Sequence, residues 1–435
     1  MKIRRDLYVK RLADFMWDGQ VKVIAGIRGC GKSYLLHTLF REHLLSGGVA
    51  EDHILSCDLG TEQDLCYRNP LELASCFRRR IRGASGQFYL FIDGIHKCEA
   101  VPNPYIPDGN TITVFDALND LKSIPNLDVY VIADNSMMLA SNLPTEFRGR
   151  SDQIRVHPLS FSEYYAAAGG DREEAFEQYA LYGGMPYCLS LPCDARKEYL
   201  TSVLFDGIVR EIAAGRKIRR PEMLTSFAEV LSLSAGTMTD PDSIAAALNA
   251  GQAQNRKRPV ALNTVKSHLD CLSDVFLFSL CRQWDVRDKC YAGFPGRYYC
   301  EDTGLRNAAA GFRQQGMPHI MENILFNDLV ARGCDVNAGI VYDSRNSAGS
   351  SMPDARGIDF IANYAGKKFY IQSACAIESE EKYAAASRPL KLVNDSFPKI
   401  MVRHDMRSRW YDDYGILNIG VLDFLLDDTL LSRYP

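Results

Sequence analysis

Apolar positions along the chain follow two periods, and the changes between them mark out the elements. VKVIAGI (21–27) is a short, continuous apolar run rich in β-branched residues, which predicts a buried strand. KSYLLHTLFREHLL (32–45) then spaces Leu35, Leu36, Leu39, Phe40 and Leu44 along one helical face. QFYLFIDGIHKCE (87–99) and LDVYVIADNSMML (127–139) predict two further buried strands. Farther on, PLSFSEYYAAAGGDREEAFEQYALYGGMPYCLSL predicts helices broken at Gly169-Gly170 and at Gly183-Gly184-Met185-Pro186. More amphipathic helices follow at 202–212, 221–233 and 263–278, the last starting at Asn263-Thr264.

The β-like pieces CRQWDVR and GRYYCED come next, and three helices followed by a hairpin is the winged-helix shape. HIMENILFNDLVARG (319–333) predicts a helix with Glu322 near its start. ARGIDFIANYAGKKFYIQSACAI (355–377) predicts a hairpin turning at Ala365-Gly366. The stretches 387–406 and 416–428 alternate helix and strand and close a second α/β domain.

At 435 residues the chain is long enough for two to four domains. A hydrophobic share of 46% and a charged share of 24% describe an ordinary globular protein. The net charge of −4 supplies no global basic field, so nucleic acid would have to meet a local patch. No apolar run is long enough for a membrane-spanning helix, and MKIRRDLYVKRLADF lacks the apolar core of a secretion signal. The 13 cysteines stand singly, with no zinc-type spacing, as expected of free thiols in a reducing cytoplasm.

The chemistry begins between the first strand and the first helix, at Gly26-x-x-x-x-Gly31-Lys32-Ser33. Strand, glycine loop and helix in this order form a P-loop. Glycines let the backbone curl so that N–H groups converge on phosphates, and the helix N-terminus adds positive potential. The expected nucleotide cradle is Gly26, Gly29, Cys30, Gly31, Lys32, Ser33 and Tyr34. Lys32 neutralises the outer phosphates of ATP, and Ser33 takes a position on Mg²⁺. Asp93, at the end of the second predicted strand, is the second metal-side residue. Gly94 follows it where hydrolysing ATPases of this type usually carry a glutamate, so that base is missing from its expected place. His96 reads as a loop or helix-start residue. The third strand ends in Asp134-Asn135-Ser136, at the sensor position. Asn135 or Ser136 there would hydrogen-bond the phosphate or the attacking water. Asp134 has three readings: displaced base, extra negative charge, or cap.

GIRGCGKSYLL, FIDGIHK, DVYVIADNSMML, TEFRGRSDQIRVHPLSFSEYY and YGGMP, in this order, resemble a large prokaryotic family of predicted ATPases. That family joins an AAA-type ATPase domain to a C-terminal domain of unknown function, and the resemblance covers nearly the whole chain. It departs at Gly94, where the family has Glu, and at 132–136, where the family usually has Thr-Gly-Ser-Asn-Ser. Both departures fall on the γ-phosphate side, which implies binding retained and hydrolysis impaired. The resemblance also implies that Arg150 of FRGR either reaches the γ-phosphate as an arginine finger or pairs with a local acid. The implied divisions are 1–165 for the ATPase core, 166–215 for a helical lid, 216–315 for a winged-helix-like domain and 316–435 for a nuclease-like α/β domain.

A helix acid (Glu322), a strand acid (Asp359) and a second strand make the arrangement of the PD-(D/E)xK, or restriction-endonuclease-like, fold. Working enzymes of that fold carry Glu-x-Lys on the second strand, where this chain has Gln372-Ser373-Ala374. An uncharged amide is a poor Mg²⁺ ligand, and the lysine is absent. The pair is therefore expected as ion-pair partners in an inert fold, in preference to ligands of one cation. The remaining partner readings are a protein or DNA through the winged-helix and C-terminal domains, with Arg256, Lys257 and Arg258 as phosphate contacts.

Overall fold

The P-loop strand, Val21–Ala25, lies inside a five-stranded sheet of order Ile54–Asp58, Phe88–Asp93, Leu127–Ala133, Val21–Ala25, Ser151–Arg155. Every neighbouring pair in it is parallel. The computed structural model describes residues 2–106, 109–133, 151–216, 218, 220–252, 259–291, 293, 295–313, 316–343, 354–406 and 408–434. The chain divides into two compact units, Lys2–His157 and Pro158–Pro435.

A parallel sheet is covered on both faces, which is why its strands read as unbroken apolar runs. On one face Val23, Leu90, Val129 and Val131 pack with Leu73 and Phe77 of helix Pro70–Ile81 and Leu118 and Leu121 of helix Val114–Leu121. The latter helix starts at a capping box in which Thr113 and Asp116 satisfy each other's backbone N–H groups. One polar residue sits inside the first strand: Lys22 is fully buried and its ammonium lies 2.5 Å from Asp128 and 2.6 Å from Asp18. The Tyr130 hydroxyl donates to the same Asp128 carboxylate at 2.8 Å, so the buried charge is fully partnered. Because all strands point one way, Ala25, Asp58, Asp93 and Ala133 end at one edge. In an open α/β sheet a ligand sits at that edge.

The second unit begins with helices Phe161–Ala168 and Arg172–Tyr182, started by Ser160 and Asp171. The expected break at Gly183-Gly184 is a packing junction: Gly184 N donates to Asp302 at 2.6 Å and Leu159 N donates to Gly184 O at 2.8 Å. Helices Pro221–Leu233, Pro241–Gln252 and Leu262–Asp274 follow. The last begins one residue before Asn263, and no side chain caps it. A three-stranded antiparallel sheet joins Met238–Thr239, Gly296–Cys300 and Phe278–Cys281.

The two β-like pieces pair where Cys281, which opens the first, faces Arg297 of the second. Gly296–Cys300 joins that small sheet, while Gln283–Asp285 runs parallel to Asp335–Asp343 in a separate eight-stranded sheet. That larger sheet orders Cys290–Tyr291, Gln283–Asp285, Asp335–Asp343, Asp354–Tyr364, Lys367–Ala374, Lys399–Arg403, Ile416–Gly420 and Trp410–Tyr411. The hairpin Asp354–Tyr364/Lys367–Ala374 turns at Ala365-Gly366, as the sequence predicts, with both φ values positive.

Candidate nucleotide site

The P-loop leaves the sheet at Ala25 and enters helix Lys32–Tyr34, which runs on as a π-helical stretch, Leu35–Phe40, and then Arg41–Ser46. Gly26 approaches the next strand connection so closely that a Cβ there would stand 2.2 Å from the Val156 carbonyl. No side chain fits at this position. Lys32 is 4% exposed, and its ammonium donates to the Gly26 and Ile27 carbonyls at 2.8 and 3.0 Å. The cation is thus held over the centre of the loop, where phosphate oxygens would meet it. Ser33 Oγ donates to Asp93 Oδ2 at 2.6 Å, which brings the two expected metal-side residues into contact across 60 residues of sequence. A hydroxyl and a carboxylate at one point are the donor set Mg²⁺ takes beside a triphosphate. The residues present fit Mg·ATP.

The remaining cradle residues are placed as follows. The Cys30 side chain is fully buried and its thiol donates to Val156 O at 3.3 Å, so it belongs to the scaffold of the loop. The Tyr34 hydroxyl accepts from Ile3 N at 3.3 Å, which ties the start of the helix to the N-terminal segment. Asp134, Asn135 and Arg150 lie outside the described residues.

Three residues near the loop did not stand out in the sequence. Arg5 is buried, and its guanidinium donates to Cys30 O at 3.0 Å and His157 O at 2.8 Å while stacking 4.4 Å above Tyr8. It fastens the back of the P-loop to the chain that follows strand Ser151–Arg155. His37 lies one helical turn after Ser33, with Nε2 4.0 Å from Asp93 Oδ2. Burial pushes its pKa down, against the opposing pull of Asp93 and Asp58, so burial favours the neutral ring. Asp58 ends the edge strand and is the register partner of Asp93. Its Oδ1 accepts from Gly60 N at 2.7 Å.

Gly94 has φ +68 and opens the short 3-10 turn Ile95–Lys97, which contains His96. A left-handed residue is natural for glycine and strained for any side chain. A side chain at position 94 would therefore meet a backbone that does not suit one.

Residues 18–165 match the model of the AAA domain. The chain carries an ATP-binding AAA-type P-loop domain. Residues 173–316 match a domain of unknown function, DUF8612. A protein of Haemophilus influenzae described as uncharacterized is 27% identical over 430 residues, covering 98% of both chains. Another of that description, from Methanocaldococcus jannaschii, is 21% identical over 362 residues, covering 79% of this chain and 73% of that one. Among solved structures, the Walker-type ATPase PABY2304 of Pyrococcus abyssi aligns with 71% of this chain and 96% of its own, at 14% identity and a TM-score of 0.45.

The second unit holds its own charged cluster. Arg297, on strand Gly296–Cys300, directs its guanidinium to Glu322 Oε1 at 2.5 Å and Asp359 Oδ1 at 3.0 Å. The Tyr299 hydroxyl donates to Glu322 Oε1 at 2.5 Å, and Ser373 N donates to Asp359 Oδ2 at 2.8 Å. Gln372 Oε1 accepts from Asp359 N at 3.4 Å, so the amide faces its own sheet. Burial raises the Glu322 pKa, and the neighbouring Asp359 charge adds to the rise. Burial also opposes the Arg297 charge, but Asp359, Tyr299 and Glu322 together hold it firmly protonated. Among the described residues no group of three or more His, Cys, Asp or Glu is placed to hold a metal, and no helix is long and apolar enough to cross a membrane.

Proposed function

We propose that the chain is a nucleotide-gated switch that binds Mg·ATP through Gly26–Tyr34 and hydrolyses it slowly. The observation that carries this reading is the contact between Ser33 and Asp93 beside a Lys32 ammonium seated on the loop. Gly94 supplies no carboxylate, which sets the rate low without touching the phosphate cradle. Mg²⁺ bound at Ser33 and Asp93 would neutralise charge building on the β- and γ-phosphates. The second unit then acts as a recognition module. Helices 221–274 and the small sheet support a winged-helix-like part, and the strand pair bearing Asp359 and Gln372 supports a nuclease-like part whose acids are engaged by Arg297.

The experiment compares equilibrium ATP binding and phosphate release for the wild type and Lys32→Ala, with and without Mg²⁺. Micromolar, Mg²⁺-dependent binding lost in Lys32→Ala, with turnover well below one per second, is the expected result. Absence of ATP binding to the wild type, or turnover of many per second, would overturn the reading.

A second reading, DNA as the partner, is favoured by Lys266 and Asn263, which line one cavity of about 440 Å³ beside helix Leu262–Asp274 together with Asp270 and with Arg216, itself paired to Asp274. Arg256, Lys257 and Arg258 lie outside the described residues. Salt-dependent binding of duplex DNA, weakened in Lys266→Glu, is its test.

A further inference from the structure

We propose that Asp58 supplies the carboxylate that orients and deprotonates the attacking water in place of the glutamate missing at position 94. The inference rests on the ATP-switch reading and names the residue on which its slow turnover depends.

Two placements carry it. Asp58 and Asp93 are register partners at the ends of adjacent parallel strands, so both side chains leave the sheet on one face at its ligand edge, with backbones about 4.8 Å apart. A Cβ built on Gly94 would stand 3.5 Å from Asp58 Oδ1. Bond lengths put the carboxylate oxygens of a glutamate about 3–4 Å from its own Cβ, so Asp58 places an oxygen at the distance a side chain at 94 would reach. The Lys97 ammonium reaches the same corner: a methyl at Gly60 would meet Asp58 Oδ1 at 2.8 Å and Lys97 Nζ at 3.2 Å.

In the step itself, the water oxygen bonds to the γ-phosphorus while the bond from that phosphorus to the β–γ bridging oxygen breaks. Its electron pair leaves on ADP. One water proton passes to the Asp58 carboxylate and from there to solvent, leaving ADP and inorganic phosphate. An aspartate on the neighbouring strand is shorter than a glutamate on the Asp93 strand itself, which accords with slow turnover.

The bland role for Asp58 is a turn: its carboxylate accepts from Gly60 N at 2.7 Å and closes the strand end. Asparagine makes the same turn but takes no proton, so Asp58→Asn separates the two roles. Binding of a fluorescent ATP analogue and single-turnover phosphate release would be measured with Mg²⁺ for the wild type, Asp58→Asn, Asp58→Glu and Lys32→Ala. The expected result is binding by Asp58→Asn within about threefold of wild type, with turnover reduced about 100-fold or more and partly restored in Asp58→Glu. Turnover in Asp58→Asn within threefold of wild type overturns the proposal. So does wild-type turnover no faster than Lys32→Ala, although ATP binding would then leave the switch standing. Loss of binding in Asp58→Asn alone assigns Asp58 to loop structure and also overturns it. Failure of the wild type to bind ATP would instead defeat the switch reading.

Discussion

Arg297 donates to Asp359 at 3.0 Å from a strand of the small sheet, and so places a fixed cation between two buried acids. The same guanidinium also bonds Glu322, and all three side chains are nearly buried. Removing one partner from such a cluster leaves uncompensated buried charge, which costs about 3–5 kcal/mol. Arg297→Ala is therefore expected to lower the urea midpoint strongly. Arg297→Met combined with Glu322→Gln and Asp359→Asn should recover part of the loss. If Arg297→Ala alone leaves the midpoint unchanged, the cluster contributes no stability.

Stability of the second unit should fall as pH rises through the mildly acidic range. Asp302 is fully buried and its pKa is raised from 3.8 to about 6, by burial first, against three backbone N–H groups that favour the charged form. The folded state then holds a proton that the unfolded chain gives up earlier. Stabilisation is complete below the unfolded value and is lost as pH climbs through about 6. Glu322 shifts in the same direction. Asp302→Asn should flatten the difference between urea midpoints at pH 4.5 and pH 7 while keeping an acceptor for Gly184 N. An unchanged slope would assign the dependence to other groups.

What was legible in the sequence was whatever local pattern determines. The P-loop, its flanking strand and helix, and the hairpin at Ala365-Gly366 follow from spacing and turn chemistry alone. Contacts across long separations were not legible. Arg4 and Arg5 stand side by side in a basic N-terminal stretch, yet the Arg4 side chain is 76% exposed while Arg5 is buried under the P-loop. No local signal tells them apart, because the partners of Arg5 are backbone carbonyls at 30 and 157. Lys22 likewise interrupts an apolar run without marking a surface, since Asp128 waits on the neighbouring strand. CRQWDVR is itself split by tertiary pairing, Cys281 going to the small sheet and Gln283–Asp285 to the large one, which alternation alone does not reveal. Asp58 did have a signal: it ends the apolar strand ILSCD much as Asp93 ends its own.

Arg5 should matter to nucleotide binding without touching nucleotide. Hydrogen bonds from a charged donor contribute about 1.5–3 kcal/mol each, and Arg5 gives two of them to the backbone behind the loop. Arg5→Ala is expected to lower the melting temperature and weaken ATP binding by at least tenfold. Arg4→Ala should change stability by less than about 0.5 kcal/mol. Equal effects of the two substitutions would show that the loop does not depend on this fastening.

A glutamate placed at position 94 should fail to give fast hydrolysis. Gly94 sits at φ +68, where an L side chain costs about 1–2 kcal/mol, and its Cβ would meet Gly60 N at 3.4 Å and Asp58 Oδ1 at 3.5 Å. The new carboxylate would crowd the one already there, and the strand end would have to leave its left-handed turn to aim it elsewhere. Gly94→Glu is therefore expected to melt several degrees lower than the wild type and to release phosphate no faster. The check is thermal unfolding alongside single-turnover phosphate release on the same preparation. A tenfold gain in turnover without loss of stability would mean that residue 94 alone had set the rate, and that the backbone yields to it.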